Sequence, residues 1–198
     1  MDSAVGEGRM GEILEHILAR RSIRRYTAEP VSEEDVTHLL QAAMAAPSAS
    51  NRRPWEFVVV TEEEVLAALR RGLLFGRYRA PLAIAVCGNL HRAYPGFAKE
   101  FWIQDCSAAT ENLLLAASGL GLGAVWIGVY PIAPFVRHVR QVLHLPEHVI
   151  PLNIVYVGHP AESKEPRTQY EDTRVFWQRY GASKAEQERM APRGREEQ

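Results

Sequence analysis

Residues 109–128, ATENLLLAASGLGLGAVWIG, decide how the chain is read. Leu113, Leu114 and Ala117 fall on one helical face late in a run with no helix breaker. Glycines then recur at 119, 121 and 123, and the β-branched run at 124–129 reads as a strand. The Gly-x-Gly-x-Gly spacing invites comparison with a dinucleotide fingerprint. That fingerprint follows a strand and opens a helix. Here the order is helix, glycines, strand, so the glycines end the helix. Gly128 differs from them: a glycine inside a strand marks the close approach of a ligand or another backbone.

Working outward, helices and strands alternate loosely. Ile13, Leu14, Ile17 and Leu18 lie on one face of a helix ending near Arg21. Ser32 caps a second helix, with Glu33, Glu34 and Asp35 at the positive end of its dipole. Val36, Leu39, Leu40 and Ala43 form its apolar face, and Pro47 stops it. Residues 57–60 predict a strand, and Thr61 is placed to cap the helix carrying Val65, Leu66 and Leu69. Further on, the pattern predicts a buried strand at 82–86, a long helix over 97–118, a helix over 131–143 and a last core strand at 150–157. A polar segment over 160–180 follows. Its Tyr170, Phe176, Trp177 and Tyr180 need covering, which an arm packed on the body or on a second subunit provides. Residues 1–9 and 183–198 are too polar to offset chain entropy and are expected to be disordered.

The bulk properties narrow the function. With 198 residues, 46% hydrophobic and 24% charged, one globular domain over residues 10–180 is expected. A formal charge of −1 disfavours a nucleic-acid or membrane-surface binder. The N-terminal residues carry no apolar run of the kind a signal peptide needs, and no stretch is long enough to span a membrane. The two cysteines, Cys87 and Cys106, form no CxxC motif and suggest a reducing compartment, the cytoplasm. Seven histidines make no HxH or HExxH pair, so no metal is assigned. There is no GxSxG elbow for serine hydrolysis. Asp105 and Glu111 read as polar core or interface groups.

Two segments carry candidate chemistry. RRSIRRY, residues 20–26, places four arginines in six positions at a helix end. A solvated basic face and an anion site held by guanidinium forks and Ser22 are about equally favoured by this run alone. PSASNRRPW, residues 47–55, is a nine-residue helix–strand connection, long for its kind. Its Ser48, Ser50 and Asn51 hold tight turns and offer polar groups to a ligand. Lys164, Arg167, Gln169 and Arg174 in the terminal segment read, by composition, as solvated surface.

In this order, RRSIRRY, PSASNRRPW, an apolar strand after Ala80-Pro81, ATENLLLAASGLGLGAVWIG and VGHP with a basic arm resemble the FMN-dependent nitroreductase family. The resemblance spans residues 13–180. It implies an α+β fold, a central mainly antiparallel sheet flanked by helices, with a C-terminal arm exchanged in a homodimer. It implies FMN at the subunit interface, NADH or NADPH as electron donor, and ping-pong reduction of small-molecule substrates such as nitroaromatics or quinones. Arg20, Arg21, Ser22 and Arg24 then correspond to phosphate and ring-edge contacts. Pro47, Ser48, Ala49 and Asn51 correspond to the partner's contribution. Trp126, Ile127 and Gly128 lie beside the flavin ring, and Arg167 and Gln169 fall on the basic arm. Trp102, Phe101 and Tyr130 are candidates for an aromatic wall. The same scaffold also hosts reductive dehalogenation, dehydrogenation and non-catalytic flavin binding. The chain departs from the family pattern at Arg53, at Gln169, and in LLFGRYRAP (residues 73–81), where no ring-edge contact can be assigned.

Overall fold

The computed structural model describes residues 5–181, with side chains from residue 11 onward. Its first unit carries five helices: α1 (Val5–Ala19), α2 (Glu33–Met44), α3 (Glu63–Gly72), α4 (Phe101–Gly119) and α5 (Ala133–Val142). Four strands lie between them: β1 (Trp55–Val60), β2 (Leu82–Asn89), β3 (Gly123–Gly128) and β4 (Val149–Gly158). The strands form one sheet in the order β1-β2-β4-β3, and every pair is antiparallel. This is the α+β architecture expected, with helices on both faces.

The two central strands are buried almost throughout. Side chains alternate faces along a strand, so β2 sends Leu82, Ile84 and Val86 to one core and Ala83, Ala85 and Cys87 to the other. Leu39 and Ala43 of α2 with Cys106 and Leu113 of α4 cover the first face. Leu66 and Leu69 of α3 with Val139 of α5 cover the second. Helices α2, α3 and α4 therefore answer apolar stripes visible in their spacing.

The local signals held unevenly. Ser32 caps α2 as expected, its Oγ accepting from the Asp35 amide at 3.0 Å. Thr61 does not cap α3. That helix starts at Glu63, behind Glu62, and has no side-chain cap. Helix α1 begins at Val5, so residues 5–9, expected to be disordered, are helical. Extending a formed helix costs far less than nucleating one. Residues 1–4 and 183–198 lie outside the described residues.

The chain parts into two compact units between Pro166 and Arg167. Residues 160–165 stay with the first unit because hydrogen bonds hold them there. Pro160 bridges to Tyr26, and the Ala161 amide donates to the Arg25 carbonyl. The second unit, from Arg167, has a short 3-10 turn at Asp172–Arg174 and an Arg174–Glu171 ion pair. The rings of Phe176 and Tyr180 stack at an angle, 4.4 Å apart.

Candidate functional site: a cationic cradle beside β3

The glycine run sets the site's floor. The Gly121 amide donates to Ser118 O and the Leu122 amide to Ala117 O, closing α4 in a Schellman turn. Gly121 sits at φ +72, where a side chain would be strained. The turn launches β3, and the segment after α1 runs beside it. Ser22 forms a parallel bridge with Ala124, and the Ile23 amide donates to Ala124 O at 3.0 Å. The basic run is thus pinned next to the strand that carries Trp126, Ile127 and Gly128.

A cavity of ≈ 190 Å³ opens between this run, the end of α4 and residues 160–164. Arg20, Arg21 and Lys164 bring positive charge to it, while Ile23, Leu122 and Ala124 make its apolar wall. Lys164 donates to the Ser22 carbonyl at 2.6 Å and pairs with Glu162 at 3.2 Å. Glu162 also accepts from the Arg24 amide at 2.6 Å. That hydrogen bond, with help from Lys164, holds the Glu162 carboxyl below the usual carboxylate range. Arg20 pairs with Glu111 at 3.3 Å, and Arg21 donates to the Glu165 carbonyl. The Arg24 guanidinium lies 6.0 Å from the Tyr78 ring centre. Arg25 is exposed and contributes its carbonyl to Ala161.

Three cations against one lining carboxylate, Glu162, leave the small cavity net positive, which suits an oxyanion such as a phosphate ester. The cavity is smaller than the ~300–1,000 Å³ that encloses whole cofactor-sized ligands. Gly128, at the far end of β3, is exposed, and nothing lies within 4 Å of where its side chain would be. A planar group could approach the backbone there unhindered.

The 47–55 loop sits elsewhere on the chain. The Ala49 amide donates to Asp105 Oδ1 at 2.9 Å, near the start of α4. Ser118, at the cradle, is thirteen positions further on, which is about 20 Å along a helix axis. A single chain therefore does not bring Pro47, Ser48, Ala49 and Asn51 to the arginines. The loop is tightly wound: Ser50, Asn51 and Arg53 all have positive φ, of 48, 54 and 48. Non-glycine residues enter that region at a cost and cluster at ligand clamps. Ser48 Oγ supports the turn by accepting from the Arg53 amide at 2.9 Å. Arg167 and Gln169 belong to the second unit, where both are exposed.

Other candidates resolve differently. Trp102 is buried against Gly88, edge-to-face with Tyr130, and is core rather than wall. Phe101 is exposed and meets Tyr94 edge-on. Both cysteines are free and buried, and burial pushes the Cys87 thiol up to about 12 and the Cys106 thiol higher still. Neither is a nucleophile at neutral pH. No group of three or more His, Cys, Asp or Glu side chains among the described residues could hold a metal. Glu162 was not singled out from the sequence, and Lys164 was singled out but read as solvated surface. The charge of Lys164 was visible, but nothing in the composition distinguishes it from solvated surface.

The sequence profile of the nitroreductase family matches residues 17–74 and 68–159. The chain belongs to the nitroreductase family. This family member is 43% identical over 173 residues to a Methanothermobacter thermautotrophicus protein assigned by name as an NADH dehydrogenase/NAD(P)H nitroreductase, covering 85% of this chain and 88% of that one. A crystal structure from Parabacteroides distasonis, with the same assignment, superposes with a TM-score of 0.81 at 42% identity, covering 85% of this chain and 99% of that one. An FMN-dependent nitroreductase from Clostridium difficile superposes at 0.76 with 29% identity, covering 84% and 99%. The fold expected of this nitroreductase-family chain, helices on an antiparallel sheet, is the one described above.

Proposed function

We propose that this nitroreductase-family protein is an FMN-dependent oxidoreductase that takes electrons from NADH or NADPH and reduces small oxidised molecules, nitroaromatics or quinones among them. The observation that carries this reading is the cationic cavity of Arg20, Arg21 and Lys164, set beside the start of the strand that ends in the open backbone at Gly128. FMN, when bound, supplies hydride acceptance and donation; the protein supplies position and charge.

Each residue then has a bounded task. Arg20, Arg21, Ser22 and Lys164 hold the phosphate. Arg24 would supply positive charge to a bound flavin and so favour its reduced, anionic form. Trp126 and Ile127 hold β3 to the two cores, and Gly128 leaves its backbone accessible. One open face admits donor and acceptor in turn, which gives ping-pong kinetics. Glu162 stays ionised at neutral pH and donates no proton. The thiols are out of range, so neither cysteine supplies a proton.

The working unit is a homodimer with FMN at its interface. Two features support this. The cradle is too small to enclose the whole cofactor, and the Pro47–Asn51 loop lies about 20 Å along α4 from the arginines of its own chain. In addition, Ile13, Leu14 and Ile17 of α1, expected as a packed face, are 62%, 55% and 46% exposed in the single chain. Such a face calls for a cover. The two free, buried thiols suit a reducing compartment such as the cytoplasm.

Flavin retention tests the proposal. Purified protein should be yellow and release FMN on denaturation. Colourless protein that gains no flavin when FMN is added contradicts it.

A further inference from the structure

LLFGRYRAP, residues 73–81, has no part in the cradle, yet it carries two arginines to one place. Arg77 and Arg79 line a cavity of ≈ 440 Å³ together with Arg70 and Arg71 of α3. Among the described residues, only Arg70 of the four makes an ion pair, with Glu63. The α3 dipole favours Arg70 and Arg71, which sit in its last turn. It gives no reason for Arg77 and Arg79, which follow the helix. Like charges gathered without counter-charges repel.

A second observation points the same way. Arg70 Nη1 and the Tyr156 hydroxyl are buried and have no hydrogen-bond partner. Buried donors left unpaired are costly and uncommon. Arg70 also acts electrostatically on Tyr156, whose hydroxyl burial pushes up to about 12 against that positive charge. The cavity therefore combines three cations without ion pairs with one buried donor, Arg70 Nη1, that lacks an acceptor. A neighbouring groove of ≈ 330 Å³ shares Arg79 and includes Glu63, so the region has room beyond a single anion.

We propose that Arg70, Arg71, Arg77 and Arg79 form a second anion site, for a phosphate group of two or more charges. Three guanidinium groups without ion pairs exceed what one carboxylate neutralises. A phosphate offers three acceptor oxygens and matches guanidinium forks. The site shares no lining residue with the Arg20–Lys164 cavity and does not rest on the flavin reading. Its ligand is either the ribose phosphate of a nucleotide or a free phosphorylated molecule.

Binding of inorganic pyrophosphate and of adenosine 2′,5′-bisphosphate to the full-length protein, measured by calorimetry at low salt, tests this. The double variant Arg77→Ala/Arg79→Ala should weaken binding at least about tenfold, the scale of one charge-assisted contact. Its flavin content and melting temperature should match wild type, since both side chains leave an exposed segment. Arg20→Ala/Arg24→Ala should leave this binding intact, which separates the site from the cradle. Tighter binding of the bisphosphate assigns a nucleotide phosphate; equal or tighter binding of pyrophosphate assigns a free phosphate. If neither probe binds, or both bind wild type and the Arg77/Arg79 variant equally, the proposal is wrong.

Discussion

The Glu162 carboxylate accepts the Arg24 amide at 2.6 Å and holds Lys164 at 3.2 Å, so one acidic side chain ties the segment after β4 to the basic run after α1. The cradle is therefore braced from within by a charge opposite to its own.

That brace has a pH signature. The carboxyl is held below its usual range, chiefly by the Arg24 amide. A lowered folded pKa means that the stabilisation is present above the unfolded pKa and is lost as pH falls through the lowered value. Glu162→Gln keeps an acceptor but removes the charge. Urea midpoints of variant and wild type should differ at neutral pH and converge in acid. A pH-independent difference would show that the ionised state contributes nothing.

Removing the cradle's arginines should cost cofactor, not fold. Arg20→Ala with Arg24→Ala should weaken FMN binding by about 2–4 kcal/mol, the worth of two charge-assisted contacts. The Arg20–Glu111 pair is partly exposed, so little stability goes with it. Fluorescence titration of the flavin-free protein reads the affinity. An unchanged dissociation constant moves the phosphate elsewhere.

Asp105 holds the Pro47–Trp55 loop under strain of its own. It is buried, its Oδ2 has no partner, and burial raises its carboxyl above the usual range despite the Ala49 amide. A raised folded pKa makes the native state bind more protons, so this group's contribution falls as pH rises from the unfolded value through the folded one. Asp105→Asn keeps an acceptor for Ala49 and avoids the buried charge. Its stability at neutral pH should equal or exceed wild type, with the gain vanishing in acid. A loss at neutral pH would mean the charge has a stabilising partner.

Two glycines in β3 should behave oppositely. A Cβ on Gly123 would lie 2.6 Å from Ile23 Cγ2, so Gly123→Ala should push the basic run off the strand. The expected cost is about 1–3 kcal/mol of stability, typical of overpacking, with weaker FMN binding. A Cβ on Gly128 meets nothing within 4 Å, so Gly128→Ala should melt as wild type does while binding flavin more weakly. Equal flavin binding in Gly128→Ala would remove that backbone from the site.

How far the sequence could be read follows from what each signal depends on. Helical and strand patterning is local, and the buried apolar run at 82–86 and the stripe of Leu39 and Ala43 appeared where expected. The Gly121 turn was legible because left-handed backbone selects glycine. The left-handed Ser50, Asn51 and Arg53 were not, because tertiary ties such as the Ala49–Asp105 bond impose them. Thr61 looked like a cap, but capping depends on a backbone geometry that composition does not carry. Ile13, Leu14 and Ile17 gave the right element and the wrong environment: the apolar face exists, and this chain alone leaves it exposed. Lys164 and Glu162 meet the cradle only through the fold, more than 130 positions from Arg24.

On the proposed function, nicotinamide-derived electrons enter through a flavin held at the Arg20–Lys164 cradle. Anaerobic addition of NADH or NADPH to the yellow protein tests it most directly. One or both should bleach the flavin absorbance, and a quinone or nitroaromatic added afterwards should restore it. Flavin that stays oxidised with both nicotinamides would contradict it.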